Sequence, residues 1–211
     1  MMRTLLTVTF VALLVAPRAE AARCKNPNRP DIAFTLDAGG HDGTPWRLAA
    51  LKVGTTFTRT LAFQVRFADD VRYATVDPVN QWDWNKLMGF TTYDNHQDSI
   101  RLGWRYNPAT DRVELGYYGY LAGVRTMPML TSVAIGEWAD VSMTLSNNGM
   151  SLTANGHSHG ESGSLSAFLG IPWLPVTTVL TETIYFGGDE VAQQTIHADV
   201  RGVVVDRPCQ P

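Results

Sequence analysis

The chain has 211 residues, with 17 Lys and Arg against 20 Asp and Glu, a formal charge of −3 and an apolar share of 45 %. Such mild acidity, with arginine supplying most of the cations, excludes the basic surface that holds nucleic acid through its phosphates. The apolar share is ample for a packed core and the length suits one domain.

Residues 1–21 carry Arg3, the apolar run Leu5 to Val15 and the small residues around Ala19-Glu20-Ala21-Ala22, the layout of a secretory signal peptide cleaved near Ala21. That run falls short of the ~20 apolar residues that cross a bilayer, and no later segment is long enough, so no membrane insertion is expected. Residues 22–211 read as a single secreted domain, extracellular or periplasmic, one charge more acidic than the whole once Arg3, Arg18 and Glu20 are removed. Arg23 before the first cysteine argues against a lipid anchor. Cys24 and Cys209, at the two ends of that domain, are expected to form a disulfide in an oxidising compartment. Closing so long a loop stabilises by roughly 5 kcal/mol in the chain-entropy account, and it would bring the first and last strands together.

After the Pro- and Asn-rich lead-in Lys25–Pro30, segments of alternating polarity begin. Thr60–Phe67 places Leu61, Phe63, Val65 and Phe67 on one face, the signature of a half-buried strand. Ser99–Tyr106, a turn at Asn107–Asp111 and Arg112–Tyr120 form the clearest hairpin. Trp138–Leu145, a turn at Asn147-Asn148-Gly149 and Met150–Ala154 form a second, and Thr178–Phe186 and Thr195–Val205 complete the set. No window shows a helical stripe. Ser162–Leu169 has room for one or two helical turns, and Pro172 and Pro175 stop anything longer. Many short strands punctuated by turns predict an all-β fold, an antiparallel β-sandwich or jelly roll with little helix.

The order from Trp138 through Asn155-Gly156 to Tyr185-Phe186-Gly187-Gly188-Asp189 and a closing strand Ile196–Val205 resembles the second half of concanavalin A-like lectin and glucanase sandwiches, including laminin G-like domains. The resemblance covers the C-terminal part and speaks to fold. A slighter likeness links Asn85-Lys86-Leu87-Met88-Gly89 to the Lys-Leu-x-Gly segment of some jelly-roll polysaccharide lyases.

Strand parity decides which side chains share a face. In the first hairpin Ile100, Leu102, Trp104 and Tyr106 point inward, leaving Arg101 and Arg105 on the other face with Gly103 between them. Glu114, Tyr118 and Tyr120 share a parity on the return strand, and Gly103 and Gly116 would leave room above the sheet for a groove. The entering loop Thr92–Asp98 holds Asn95 and His96, and Trp82 and Trp84 offer aromatic faces for sugar rings. These residues predict a secreted protein that binds a polysaccharide through Trp82, Trp84, Asn95, His96, Arg101, Arg105 and Glu114.

An alternative on the same face is a polysaccharide lyase. β-Elimination needs a cation against the uronate carboxylate, a base for the C5 proton and an acid for the leaving oxygen, roles open to Arg101 or Arg105, His96, and Tyr118 or Tyr120. Glycoside hydrolysis would need two carboxylates at a set separation, and no Glu-x-Asp-x-x-Glu strand is present. A non-catalytic extracellular interaction module is the third reading. His157 and His159 share one side of an extended segment with Glu161 following, yet the Gly- and Ser-rich surroundings suggest a solvated loop, and no metal centre is expected. No cofactor is expected either, with structural calcium in the loops of Asp77, Asp94, Asp98 or Asp189 as the one conceivable addition.

Overall fold

The computed structural model describes residues 29–54, 58–92, 94–165 and 176–206. The signal segment, Cys24, Cys209 and most of the stretch proposed for a helical turn lie outside them.

Two antiparallel sheets pack face to face. One has six strands in the order β1 (Ile32–Leu36), β13 (Ile196–Val205), β3 (Thr58–Phe67), β9 (Ala139–Ser146), β10 (Gly149–Ala154) and β11 (His157–Ser162). The other runs β2 (Arg47–Gly54), β12 (Val176–Tyr185), β4 (Asn85–Thr91), β5 (Ser99–Asn107) and β6 (Arg112–Leu121), with β7 (Val124–Thr126) and β8 (Met129–Ala134) sharing the outer edge of β6. Two short 3-10 turns, Asp69–Val71 and Asn80–Trp82, are the helical content among the described residues. This is the jelly-roll sandwich that the alternating segments predict.

The sheets form because side chains alternate. Leu61, Phe63, Val65 and Phe67 of β3 and Ile100, Leu102 and Trp104 of β5 are all buried, and Trp104 packs on Phe67 at 5.1 Å and on the edge of Tyr73 at 6.2 Å. Burying each such aromatic or branched side chain contributes about 1.5–3 kcal/mol before chain entropy is counted. The first and last described strands are neighbours: Ile32 stands opposite Val200 and Leu36 opposite Ile196.

One local expectation is corrected. His157–Ser162 is a strand, β11, paired with β10 from Ala154 opposite His157 to Gly149 opposite Ser162. An edge strand with one wet side needs no apolar alternation, so its Gly- and Ser-rich composition reads as a loop. His159 and Glu161 turn toward the sandwich edge, where the Tyr117 hydroxyl donates to Glu161 Oε2 at 3.0 Å and the rings of Tyr117 and His159 meet at 4.8 Å.

Candidate active site

Strand register builds a polar floor on the outer face of the seven-stranded sheet. Arg101 stands opposite Tyr118, Gly103 opposite Gly116 and Arg105 opposite Glu114, so the two strands of the hairpin do present these side chains on one face. The next strand brings Lys86 opposite Gly103, and β12 brings Tyr185 opposite Lys86. A register shift between Leu87 and Gly89 inserts Met88 as an extra residue. This bulge lets Lys86 and Thr91 share the outer face although their positions differ in parity, while Leu87 and Phe90 stay in the core.

Above this floor lies a cleft of about 890 Å³. Lys86, Arg101, Tyr118, Thr181 and Tyr185 line its bottom, Trp46, Leu48 and Leu51 the β2 side, and Asp94, Asn95 and His96 of the β4–β5 loop another part of the rim. Lys86 Nζ sits 4.8 Å from the ring centroids of both Tyr118 and Tyr185, and the Arg101 guanidinium lies 5.3 Å from the Tyr118 ring. Burial, with the charges of Arg101 and Arg125 adding to it, pulls the Lys86 ammonium down to about 8. Burial likewise lowers Arg101, and it raises the Tyr118 phenol, reinforced by hydrogen bonding to Tyr120.

Elsewhere in the molecule arginines hold carboxylates: Arg29 with Glu182, Arg59 with Asp206, Arg66 with Asp199, Arg72 with Asp69 and Asp111. Lys86 and Arg101 make no ion pair among the described residues, Asp83 acting on Lys86 only from beyond contact, and buried Arg101 Nε has no hydrogen-bond partner there. Buried cations are costly unless paired, so this floor is built for an anion.

A network behind the floor fixes Lys86 and Tyr185. Asn85 Nδ2 donates to the Tyr73 hydroxyl at 3.1 Å, and Asn85 Oδ1 accepts from the Gly187 amide at 2.7 Å, tying the start of β4 to the end of β12. On the outer side of Tyr185 the His41 ring stacks at 5.6 Å.

Among the residues singled out from sequence, Asn95, His96, Arg101 and Tyr118 line the cleft. Tyr120 adjoins them, its ring 6.0 Å from Tyr118 and 5.3 Å from the exposed His96. Trp82, Trp84, Arg105 and Glu114 are placed apart. Arg105 Nε donates to Glu114 Oε2 at 2.7 Å and Arg105 Nη1 to the Trp82 carbonyl at 2.7 Å, with the guanidinium 4.4 Å above Trp84. Glu114 also accepts from Asn107 Nδ2 at 2.6 Å, so its carboxylate is consumed within the sheet. The room expected above Gly103 and Gly116 is filled by Trp84, which is only 8 % exposed; a Cβ on Gly116 would come within 2.6 Å of its ring. Trp82 is 46 % exposed outside the cleft.

Lys86 and Tyr185 are the two ionisable residues of the cleft floor that sequence reasoning did not put in the site. A signal for Lys86 existed in the Lys-Leu-x-Gly likeness. Nothing in the residues around Tyr185 announced its pairing with Lys86.

Of the carboxylates considered for calcium, Asp77 accepts from the Val79 amide at 2.9 Å, Asp94 from the His96 amide at 2.8 Å and Asp98 from the Ala122 amide at 2.9 Å. No group of three or more His, Cys, Asp or Glu among the described residues is placed to hold a metal ion, and no described helix is long and apolar enough to cross a membrane.

No protein-family profile and no curated protein sequence matches the chain. Solved structures do. The fold is similar to that of alginate lyase Aly36B, with a TM-score of 0.60 and 13 % identity over 84 % of this chain and 80 % of that one. A variant of Aly36B with one lysine and one tyrosine replaced by alanine, in complex with alginate tetrasaccharide, matches at 0.61 and 14 % identity over 84 % and 81 %. Alginate lyase vAL-1 from Chlorella virus matches at 0.53 and 12 % identity over 84 % and 85 %. At such identities the likeness is one of fold: the chain has the concanavalin A-like jelly roll that its C-terminal strand punctuation resembles, in the form taken by jelly-roll alginate lyases.

Proposed function

We propose that this protein is a secreted polysaccharide lyase that cleaves a uronate-containing polymer, of which alginate is the first candidate, by β-elimination in the cleft. The observation that carries the reading is the convergence of Lys86 and Arg101, neither in an ion pair among the described residues, beside the phenols of Tyr118 and Tyr185. Fold likeness to alginate lyases, one of them holding alginate tetrasaccharide, supports the substrate class.

Arg101 engages the uronate carboxylate and stabilises the negative charge that spreads onto it as the C5 proton leaves. The neutral amine of Lys86 takes that proton; with its titration near 8, a useful fraction is unprotonated in mildly alkaline solution. Tyr185, half-buried and open to the cleft, donates its phenolic proton to the glycosidic oxygen as the C4–O bond breaks, leaving a double bond between C4 and C5. Proton return from Lys86 to the phenolate through solvent restores both groups. Tyr118, buried beneath the two cations, serves as their aromatic platform.

The binding-only reading loses its main support, because Trp82 and Trp84 do not face the cleft. Incubation with a panel of polyuronates, read by ultraviolet absorbance of the unsaturated product, should reveal activity that Lys86→Ala and Tyr185→Phe abolish and Tyr118→Phe largely retains. Absence of unsaturated product from every polyuronate sinks the proposal. Export and the Cys24–Cys209 bridge belong to the same proposal; thiol titration of the denatured, unreduced protein should find no free cysteine.

A further inference from the structure

The cleft is chemically lopsided. On its β2 side the exposed wall is apolar, with Trp46 58 %, Leu48 56 % and Leu51 67 % exposed. Just beyond the cleft lining, at the opposite edge of the sheet, β7 pairs with β6 so that Arg125 stands opposite Tyr120, which sends its side chain out on the same face as Tyr118, Tyr120 and Arg101. Its guanidinium sits against the Tyr118 and Tyr120 hydroxyls, close enough to Lys86 for its charge to be felt there. Arg125 is exposed and, like Lys86 and Arg101, makes no ion pair among the described residues, its partners being the Tyr118 and Tyr120 phenols. Two strand spacings of about 4.8 Å and an offset of two residues along the strands put Arg101 on β5 and Arg125 on β7 about 12 Å apart at the backbone, flanking Tyr118 from two sides, a span that lets them meet different sugars of one chain.

We propose that Arg125 is a second carboxylate-binding residue, which selects a charged sugar on the β7 side of the scissile bond while the Trp46 side takes a sugar by its apolar face. This rests on the lyase reading and adds to it: the substrate must carry uronates in a run, since an isolated uronate between neutral sugars would satisfy Arg101 and leave Arg125 empty.

The test uses sodium alginate, or whichever polyuronate of the panel is cleaved best, with its carboxyl groups reduced to alcohols to increasing extents. If two carboxylates are read, the wild-type kcat/KM falls roughly with the square of the fraction retained. In Arg125→Gln the fall becomes linear, with a loss of about tenfold on the unreduced polymer carried by KM, the size expected for one hydrogen bond to a charged group. Arg125→Lys, which keeps the charge, should recover part of the loss. Damage to the Tyr118 platform would lower the rate without changing the steepness, so an unchanged steepness in Arg125→Gln overturns the proposal, as does a linear fall in the wild type. A wild-type protein inactive on every polyuronate overturns the lyase reading and this inference with it.

Discussion

Lys86 is held in a position that suits a base and strains a cation. Its folded-state titration near 8 lies below the ordinary value of 10.5, so between the two the unfolded chain binds more protons and stability rises with pH. Below about 8 the penalty is present in full. Lys86→Met should therefore melt higher than the wild type at neutral pH, with the gap closing as pH approaches 10.5, and should have no lyase activity; a lower melting temperature at neutral pH would contradict this account. In the wild type, kcat/KM should climb as pH rises toward 8 and level off beyond it. Asn85 makes a different kind of contribution, since truncation to Ala leaves the buried Gly187 amide without its acceptor. A loss of about 1–3 kcal/mol in denaturant unfolding is expected. Arg101 and Tyr118 were legible in the sequence because parity within one hairpin puts them on a common face. Tyr185 was not, because its meeting with Lys86 depends on β12 pairing with β4 across nearly half the chain.

At the level of elements, the site depends on where regularity is broken. The extra residue at Met88 lets β4 present Lys86 and Thr91 on the outer face, and no propensity rule marks that position as a bulge. The glycine pair at 103 and 116 was visible as a gap in the floor, but the residue that fills it comes from outside the hairpin, and single-strand periodicity is silent about which side chain folds over a neighbouring strand. Trp84, so placed, separates the cleft from the Arg105–Glu114 pair, which is why that pair is structural. Gly116→Val would press a branched side chain against the Trp84 ring and the Pro128 carbonyl, which lies 2.9 Å from an added Cβ. Overpacking of this kind costs about 1–3 kcal/mol. Calorimetry should show the lowered transition, and intrinsic fluorescence a shifted tryptophan environment.

Across the whole molecule, the sandwich was readable because period-two alternation survives wherever a strand has one buried face. The order of strands was not, since pairing partners are chosen by tertiary packing. The strand that composition disguised, β11, lies at a sheet edge, where burial constrains sequence least. The other edge of that sheet has a mechanical consequence. Antiparallel β1 and β13 let the chain enter and leave their ladder at the same end, Ile32 facing Val200. Tension on the two ends loads the outermost rung first and peels β1 away one hydrogen bond at a time, where a sheared pair would resist with all its rungs together. Single-molecule stretching of the reduced protein should thus record an early, low-force release. A Cys24–Cys209 bridge would take the tension through its own covalent bond, and in the oxidised protein the sandwich would feel no pull at all.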